Sequence, residues 1–139
     1  MKKYRILTLE ELDLLKKDFI EFLVVNGITG EDWEEIKLIN PENRDKVVEL
    51  FSEVVFTKIL LQTNFLELKT DKVASAIQCN KENMVMITLE SAKEHSEIYS
   101  TDKTYQKSRE EEIYALMQKG FLRSDGKLYK ELWMLKIGS

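Results

Sequence analysis

Residues Asn40 to Gln62 read NPENRDKVVELFSEVVFTKILLQ, and this stretch decides how the chain is organised. Asn40 followed by Pro41 opens a helix, because proline at the first helical position lacks only an N–H that no intrahelical carbonyl would have used. Val47, Leu50, Phe51, Val54 and Leu61 recur at three- and four-residue steps and form one stripe. Val48, Val55 and Ile59 form a second. A helix that is apolar on more than one side wants cover on more than one side. The reading is a central helix packed on both flanks.

On its N-terminal side the same punctuation repeats. Thr8 with Glu11 is a capping box, in which hydroxyl and carboxylate each satisfy a backbone N–H left orphaned by the first turn. It predicts a helix from Leu9 to about Asn26 with Leu12, Leu15, Phe19, Phe22 and Leu23 on its inner face, closed by Gly27. Thr29 with Asp32 caps a short helix over Gly30 to Ile39, whose Trp33, Ile36 and Ile39 turn inward. Three helices in succession make the N-terminal half all-helical.

Beyond Gln62 the period changes from helical to two. Phe65 to Lys69, Val73 to Cys79 and Val85 to Glu90 are short runs bounded by Asn- and Asp-containing turns. Val73, Ser75, Ile77 and Cys79 alternate with Ala74, Ala76 and Gln78, and Val85, Ile87 and Leu89 alternate with Met84, Met86 and Thr88. Such alternation predicts an antiparallel three-stranded meander with one better-buried face. Ser91 to Lys107 is polar, has no firm period and reads mostly as loop. Ser108 with Glu111 is another capping box, and it opens a helix with Ile113, Leu116 and Met117 inside and Gly120 as its stop. The tail from Phe121 to Ile137 has two readings: a hairpin turning at Asp125-Gly126, or a helix capped by Ser124 or Asp125 with a Leu128, Leu132 and Leu135 stripe backed by Trp133. The Leu, Lys, Glu and Met content of Lys127 to Leu135 favours the helix. The fold class expected is α+β in one domain over residues 1–139. It has three N-terminal helices, a three-stranded antiparallel meander and one or two C-terminal helices in two layers.

Composition bounds the function. A chain of 139 residues with 43% apolar and 33% charged residues supports one soluble core, and its apolar runs fall far short of the ~20 residues that cross a bilayer. Glu10, Glu11 and Asp13 come too early for a signal-peptide core, and the lone Cys79 has no internal disulfide partner; both point to a reduced, cytoplasmic setting. The net charge of −4 arises in residues 1–62, which hold 13 acidic and 9 basic residues, while residues 63–139 hold 12 of each. That bias disfavours a general nucleic-acid binder, whose affinity rests on pairing phosphates with Lys and Arg. A winged helix-turn-helix is disfavoured too, because its recognition helix needs a basic face and the central helix here is apolar nearly all round.

No motif specifies a reaction, cofactor or metal, so no catalytic, cofactor-binding or metal residue is assigned. His95, beside Glu90, Glu94 and Glu97, has the chemistry of a general base or ligand, but a solvated loop histidine explains it more cheaply. Cys79 ends a strand on an apolar face and reads as a buried, inert thiol. Glu31, Asp32, Glu34 and Glu35 around Trp33 read as a solvated helix face with favourable charge at its N-terminus. Ser124-Asp125-Gly126-Lys127 lacks the second glycine of a phosphate-binding loop and reads as a turn. Lys103, Tyr105, Lys107 and Arg109, with Lys127, are the residues a nucleic-acid or ribosome-associated factor would use, although Glu110 to Glu112 follow at once and would repel phosphates.

The segments YRILTLEELDLLKKDFIEFL (Tyr4–Leu23), ITGEDWEEIK (Ile28–Lys37), ELFSEVVF (Glu49–Phe56) and SDGKLYK (Ser124–Lys130) resemble a family of small bacterial proteins, mostly of the Bacteroidetes, defined as a domain of unknown function. The resemblance runs over nearly the whole chain and is thinnest from Asp71 to Tyr99. It implies a soluble cytoplasmic bacterial protein and transfers no site. The leading expectation is therefore a non-enzymatic protein-interaction module, with Trp33, Glu34, Tyr129 and Trp133 as its candidate contact surface, an unidentified protein as its partner and a homo-oligomer as an open possibility. The alternatives are a small enzyme or ligand-binding protein built on His95 and a nucleic-acid-associated factor.

Overall fold

The computed structural model describes residues 4–92 and 94–138. They are α+β, and their contacts divide the chain into two compact units that separate between Lys58 and Ile59.

The first unit is helical: α1 (Leu9–Leu14), α2 (Lys16–Val25), α3 (Gly30–Ile39) and most of α4 (Pro41–Gln62). Both N-terminal capping boxes form. The Thr8 hydroxyl accepts from Glu11 N–H while the Glu11 carboxylate accepts from Thr8 N–H, and Thr29 and Asp32 do the same. Arg5 donates twice to the Glu11 carboxylate, and this contact, ahead of the Thr8 N–H, brings its pKa down to about 2. The expected single first helix is broken at Leu15, whose ψ of 22° ends one helix and starts the next. Its inner face otherwise holds: Phe19 and Leu23 are buried, with Phe19 and Phe22 packed on Phe51 at centroid separations of 4.9 and 5.3 Å. Asn40 caps α4 by accepting from Asn43 N–H.

Within α4 the buried residues are Val47, Val48, Phe51, Ser52, Phe56 and Leu60, a stripe at i, i+4, i+8 and i+12 from Val48 with its neighbours at i+3. Leu50, Val54 and Leu61, assigned to a buried stripe by sequence, are 59%, 52% and 61% exposed. Ser52, a polar residue, holds the phase instead: its Oγ donates to Val48 C=O and accepts from Leu7 N–H, so it is buried without an unmet bond. Ile39, expected inward, is also exposed.

The second unit is built on a five-stranded, wholly antiparallel sheet in the order β4-β3-β2-β1-β5: β1 (Phe65–Lys69), β2 (Val73–Cys79), β3 (Asn83–Ser91), β4 (Ser96–Thr104) and β5 (Leu122–Ser124). The meander is present, but two strands join it. Ser96 to Thr104, expected as loop, pairs with β3 over nine residues, and Leu122 to Ser124 pairs with β1. β4 lies at an edge with most of its side chains in solvent, so it carries no burial alternation to be read.

The sheet is covered on both faces rather than one. Register puts Phe65, Gln78 and Val85 in one row and Ala76 and Ile87 in the next, and α6 (Lys127–Gly138) covers this face through Leu128 and Leu132. The other face carries the row Leu66, Ile77, Met86 and Thr101 and the row Cys79, Met84 and Lys103. The buried hydroxyls of Ser75 and Thr88, opposite each other on that face, bond at 2.8 Å. α5 (Arg109–Gln118) begins at Ser108, whose hydroxyl accepts from Glu111 N–H. The reciprocal half of the expected box is absent, and Glu112 instead accepts from Gln106 and Lys107 N–H.

The tail is a helix, and its start differs from the expected one. Gly126 C=O accepts the first helical bond, from Lys130 N–H, while Ser124 Oγ and Asp125 Oδ1 accept from Gly126 and Lys127 N–H. Gly126 has φ +91° and lies against the Phe65 ring, where an added Cβ would come to 2.8 Å. Gly27 also has positive φ, +74°, but nothing lies within 4 Å of its Cβ position. Gly27→Ala should therefore cost about 1–2 kcal/mol for its backbone alone. Gly126→Ala should cost clearly more, about 2–4 kcal/mol, because overpacking adds to the backbone term. Urea unfolding followed by fluorescence separates the two, with Trp133 reporting the second unit in a Trp33→Phe background and Trp33 the first in a Trp133→Phe background. Equal losses would show that the Phe65 ring moves aside freely.

Candidate functional site

α6 runs for twelve residues, about 18 Å at 1.5 Å per residue. Its inner side is anchored by Leu128 and Leu132, packed with Ala76 and Ile87 and flanked by Leu89, Ile98, Tyr129 and Trp133. Burial stops there. Leu135 falls on the same bearing as Leu128, seven residues on, yet it is 56% exposed, so the last turn outruns the core that holds the first two. The Leu128, Leu132 and Leu135 stripe expected from sequence is thus buried only at its first two members. Met134 and Ile137 are 73% and 77% exposed. Three large apolar side chains stand in solvent on one helical turn of a firmly seated helix.

Tyr129 and Trp133, both half-buried, lie at the root of this surface. Tyr129 packs on Phe65 at 5.5 Å and its hydroxyl donates to Gln78 Oε1 at 3.3 Å. Trp133 meets Tyr129 edge-on at 6.2 Å, Lys136 Nζ lies 5.9 Å from its ring centre, and its buried Nε1–H has no partner among the described residues. Trp33 is half-buried in the first unit, 5.0 Å from Phe19 and edge-on to it, while Glu34 is exposed and pairs with Lys37 at 3.0 Å. Tyr129 and Trp133 therefore support the core of the second unit and Trp33 that of the first, and an exposed apolar surface on Met134, Leu135 and Ile137 continues α6 beyond Trp133.

His95 is exposed in the β3–β4 turn, and its ring has no hydrogen-bond or ion-pair partner among the described residues. Glu90, one of the three carboxylates expected nearby with Glu94 and Glu97, instead accepts from Tyr99 Oη at 2.6 Å. Among the described residues no group of three His, Cys, Asp or Glu side chains could hold a metal ion, and no helix is long and apolar enough to cross a membrane.

The basic run is used internally. The Lys103 ammonium pairs with Glu112 at 2.9 Å. Glu112 is pushed up by burial, but hydrogen bonds from Lys103 and from Lys107 and Gln106 N–H bring it below the usual carboxylate range. The Arg109 guanidinium is largely buried and donates to four carbonyls: Leu60, Thr63, Cys79 and Asn80. Tyr105 Oη donates to the same Asn80 oxygen at 2.7 Å, and burial pushes its hydroxyl up to about 12. Only Lys107 and Lys127 of the proposed phosphate contacts remain exposed and uncommitted. Cys79 is buried, which pushes its thiol up to about 11 despite the nearby Arg109.

Two tests follow. Replacing Arg109 by Met removes one donor from each of those carbonyls, of which Asn80 keeps Tyr105 Oη and Leu60 keeps Thr63 N–H, and should lower stability by about 3 kcal/mol in urea unfolding; Arg109→Lys should recover only part, since an ammonium cannot reproduce the fork of a guanidinium. An unchanged midpoint would mean that water replaces the guanidinium. Separately, the Cys79 thiolate population at pH 8 should be about a hundredfold below that of an ordinary thiol, and native alkylation slower than that of urea-unfolded chain by at least that factor. Equal rates would show the thiol to be accessible and reactive.

One family model matches residues 1–102 and again residues 90–136, and its description is Family of unknown function (DUF6495). No curated protein and no solved structure matches the chain. The two matched segments together run through nearly all of both units, and the chain belongs to the Family of unknown function (DUF6495).

Proposed function

We propose that this chain is a small non-enzymatic protein-interaction module of a bacterial cytoplasm, and that the outer end of α6 is its contact surface. One observation carries the reading: Met134, Leu135 and Ile137 stand exposed on one turn of a helix whose inner face is anchored. A rigid helix that presents apolar side chains gives a partner area to bury without first ordering the chain, which removes one of the main costs of association. Trp133 and Tyr129 stiffen the base of the surface. Lys130, Lys136 and Glu131 supply a polar rim around it, as interfaces have. The partner is a protein with a complementary apolar patch, and a second copy of this chain is one such protein. The Trp33 and Glu34 surface is the weaker choice, since the indole is already engaged with Phe19.

The test is an affinity capture from lysate of the source cell, at low and high salt and with nuclease, using the native chain and the Met134→Lys, Ile137→Lys double variant. Light scattering across a range of concentrations is run beside it. The expected result is a recurrent, nuclease-resistant protein, or self-association, that the double variant loses by at least about tenfold in yield while its melting temperature stays within a few degrees. Identical behaviour of the two chains, or capture that disappears with nuclease, would overturn the reading.

A further inference from the structure

Between the sheet and α5 lies a cavity of about 250 Å³ that the interaction surface does not use. Two rows of the sheet form its floor. Ile77, Met86 and Thr101 stand side by side in one row and Met84 and Lys103 in the next, all on the same face by register. Its other wall is a single stripe of α5 and its C-terminal cap: Glu112, Ala115, Leu116 and Lys119 at i, i+3, i+4 and i+7. The floor is apolar at Ile77, Met84 and Met86, and the polar groups of the lining are Thr101 and Lys103 on the floor and Glu112 and Lys119 on the helix.

Charge decides what could enter. Glu112 already accepts from Lys103 Nζ and from Gln106 and Lys107 N–H, so it is poorly placed to hold an incoming cation, and Lys103 is neutralised by it. Lys119 has no ion-pair partner among the described residues, and the carbonyl dipoles at the C-terminal end of α5 offset only part of its charge, which leaves the lining with a net positive charge. One unpaired ammonium and one hydroxyl in the lining suit a single negative charge. A phosphate calls for more donors than these. A sugar would bury several hydroxyls against methionine and isoleucine without partners, at a cost for each.

Size and shape narrow the class further. At the ~30 Å³ that one water occupies in the liquid, the cavity holds about eight non-hydrogen groups, below the ~300–1,000 Å³ of drug-sized sites. Met84 and Met86 are unbranched and adaptable, and they close around a flexible chain better than branched residues do. We infer that this cavity binds a small amphiphilic monocarboxylate of about eight carbons in all, its aliphatic chain laid over Ile77, Met84, Met86 and Leu116 and its carboxylate held by Lys119. The inference is independent of the α6 surface.

Octanoate is the probe, added below its micellar range to the full chain labelled at methionine methyl carbons. Saturable shifts of the Met84 and Met86 methyl signals are expected, with Met134 unmoved as the internal control for non-specific apolar binding. Octylammonium should bind at least about tenfold more weakly than octanoate, and Lys119→Gln should weaken octanoate by a similar factor while leaving 1-octanol unchanged. Leu116→Trp, which fills the cavity, should abolish binding of both with the melting transition retained; if that variant fails to fold, the Lys119→Gln comparison decides alone. Shifts that do not saturate, equal movement of Met134, or equal binding of octylammonium would each overturn the inference.

Discussion

The second unit depends on one guanidinium. Arg109 opens α5, and its donors reach Leu60 and Thr63 at the end of α4 and Cys79 and Asn80 at the end of β2. A helix C-terminus leaves carbonyls without intrahelical donors and carries the negative end of the macrodipole, so a cation there is favoured on both counts. The strand end poses the same problem, because the ladder of β2 stops at Cys79. The only ion pair of Arg109 among the described residues is a long one, 3.8 Å to Glu110, so carbonyl dipoles do most of the compensation of its charge. One side chain thus links the end of a helix, the end of a strand and the start of the next helix. Cys79 N–H bonding to Asn64 C=O, and Tyr105 sharing Asn80 C=O, tie the same corner together.

Local punctuation made the elements legible in the sequence. Thr8, Thr29 and Asn40 each cap the helix assigned to them, and the bounds of α3, α4, β1 and β2 coincide with the runs read as such. These signals act over three or four residues, within reach of a linear reading. What failed is set by tertiary cover. An apolar residue does not announce whether another element lies over it, so Leu50, Val54 and Leu61 read like Phe51 and differ from it only in place. β4 failed for the opposite reason. An edge strand is specified by its neighbour's open ladder, and Ser96 to Thr104 shows only a scatter of Thr, Ile and Tyr among charges.

The candidate sites were less legible than the fold, because a charged residue's role lies in its partner. Lys103, Tyr105, Lys107 and Arg109 look like a basic, aromatic strip on paper. In space Lys103 pairs with Glu112, nine residues on, and Arg109 serves carbonyls up to 49 residues away. The tail stripe misled in a related way, since helical period gives the bearing of Leu135 but not how far the sheet extends beneath it. Period and partner are different kinds of information, and only the first is written locally.

The way the sheet ends bears on the proposed contact surface. An antiparallel sheet with open edges can recruit a strand from a partner, and natural proteins guard against it with short or charged edges. Both guards are present. β5 is three residues long, and β4 carries Glu97, Asp102 and Lys103 along with exposed serine and threonine. Asp102 is further engaged by Asn83 Nδ2 at 2.8 Å, which pins the edge to its neighbour. The end of α6 carries no such guard: no polar residue interrupts Met134, Leu135 and Ile137 except Lys136, which lies over Trp133. With strand edges protected and a helix end left apolar, the contact surface proposed above would work by packing side chains rather than by extending the sheet.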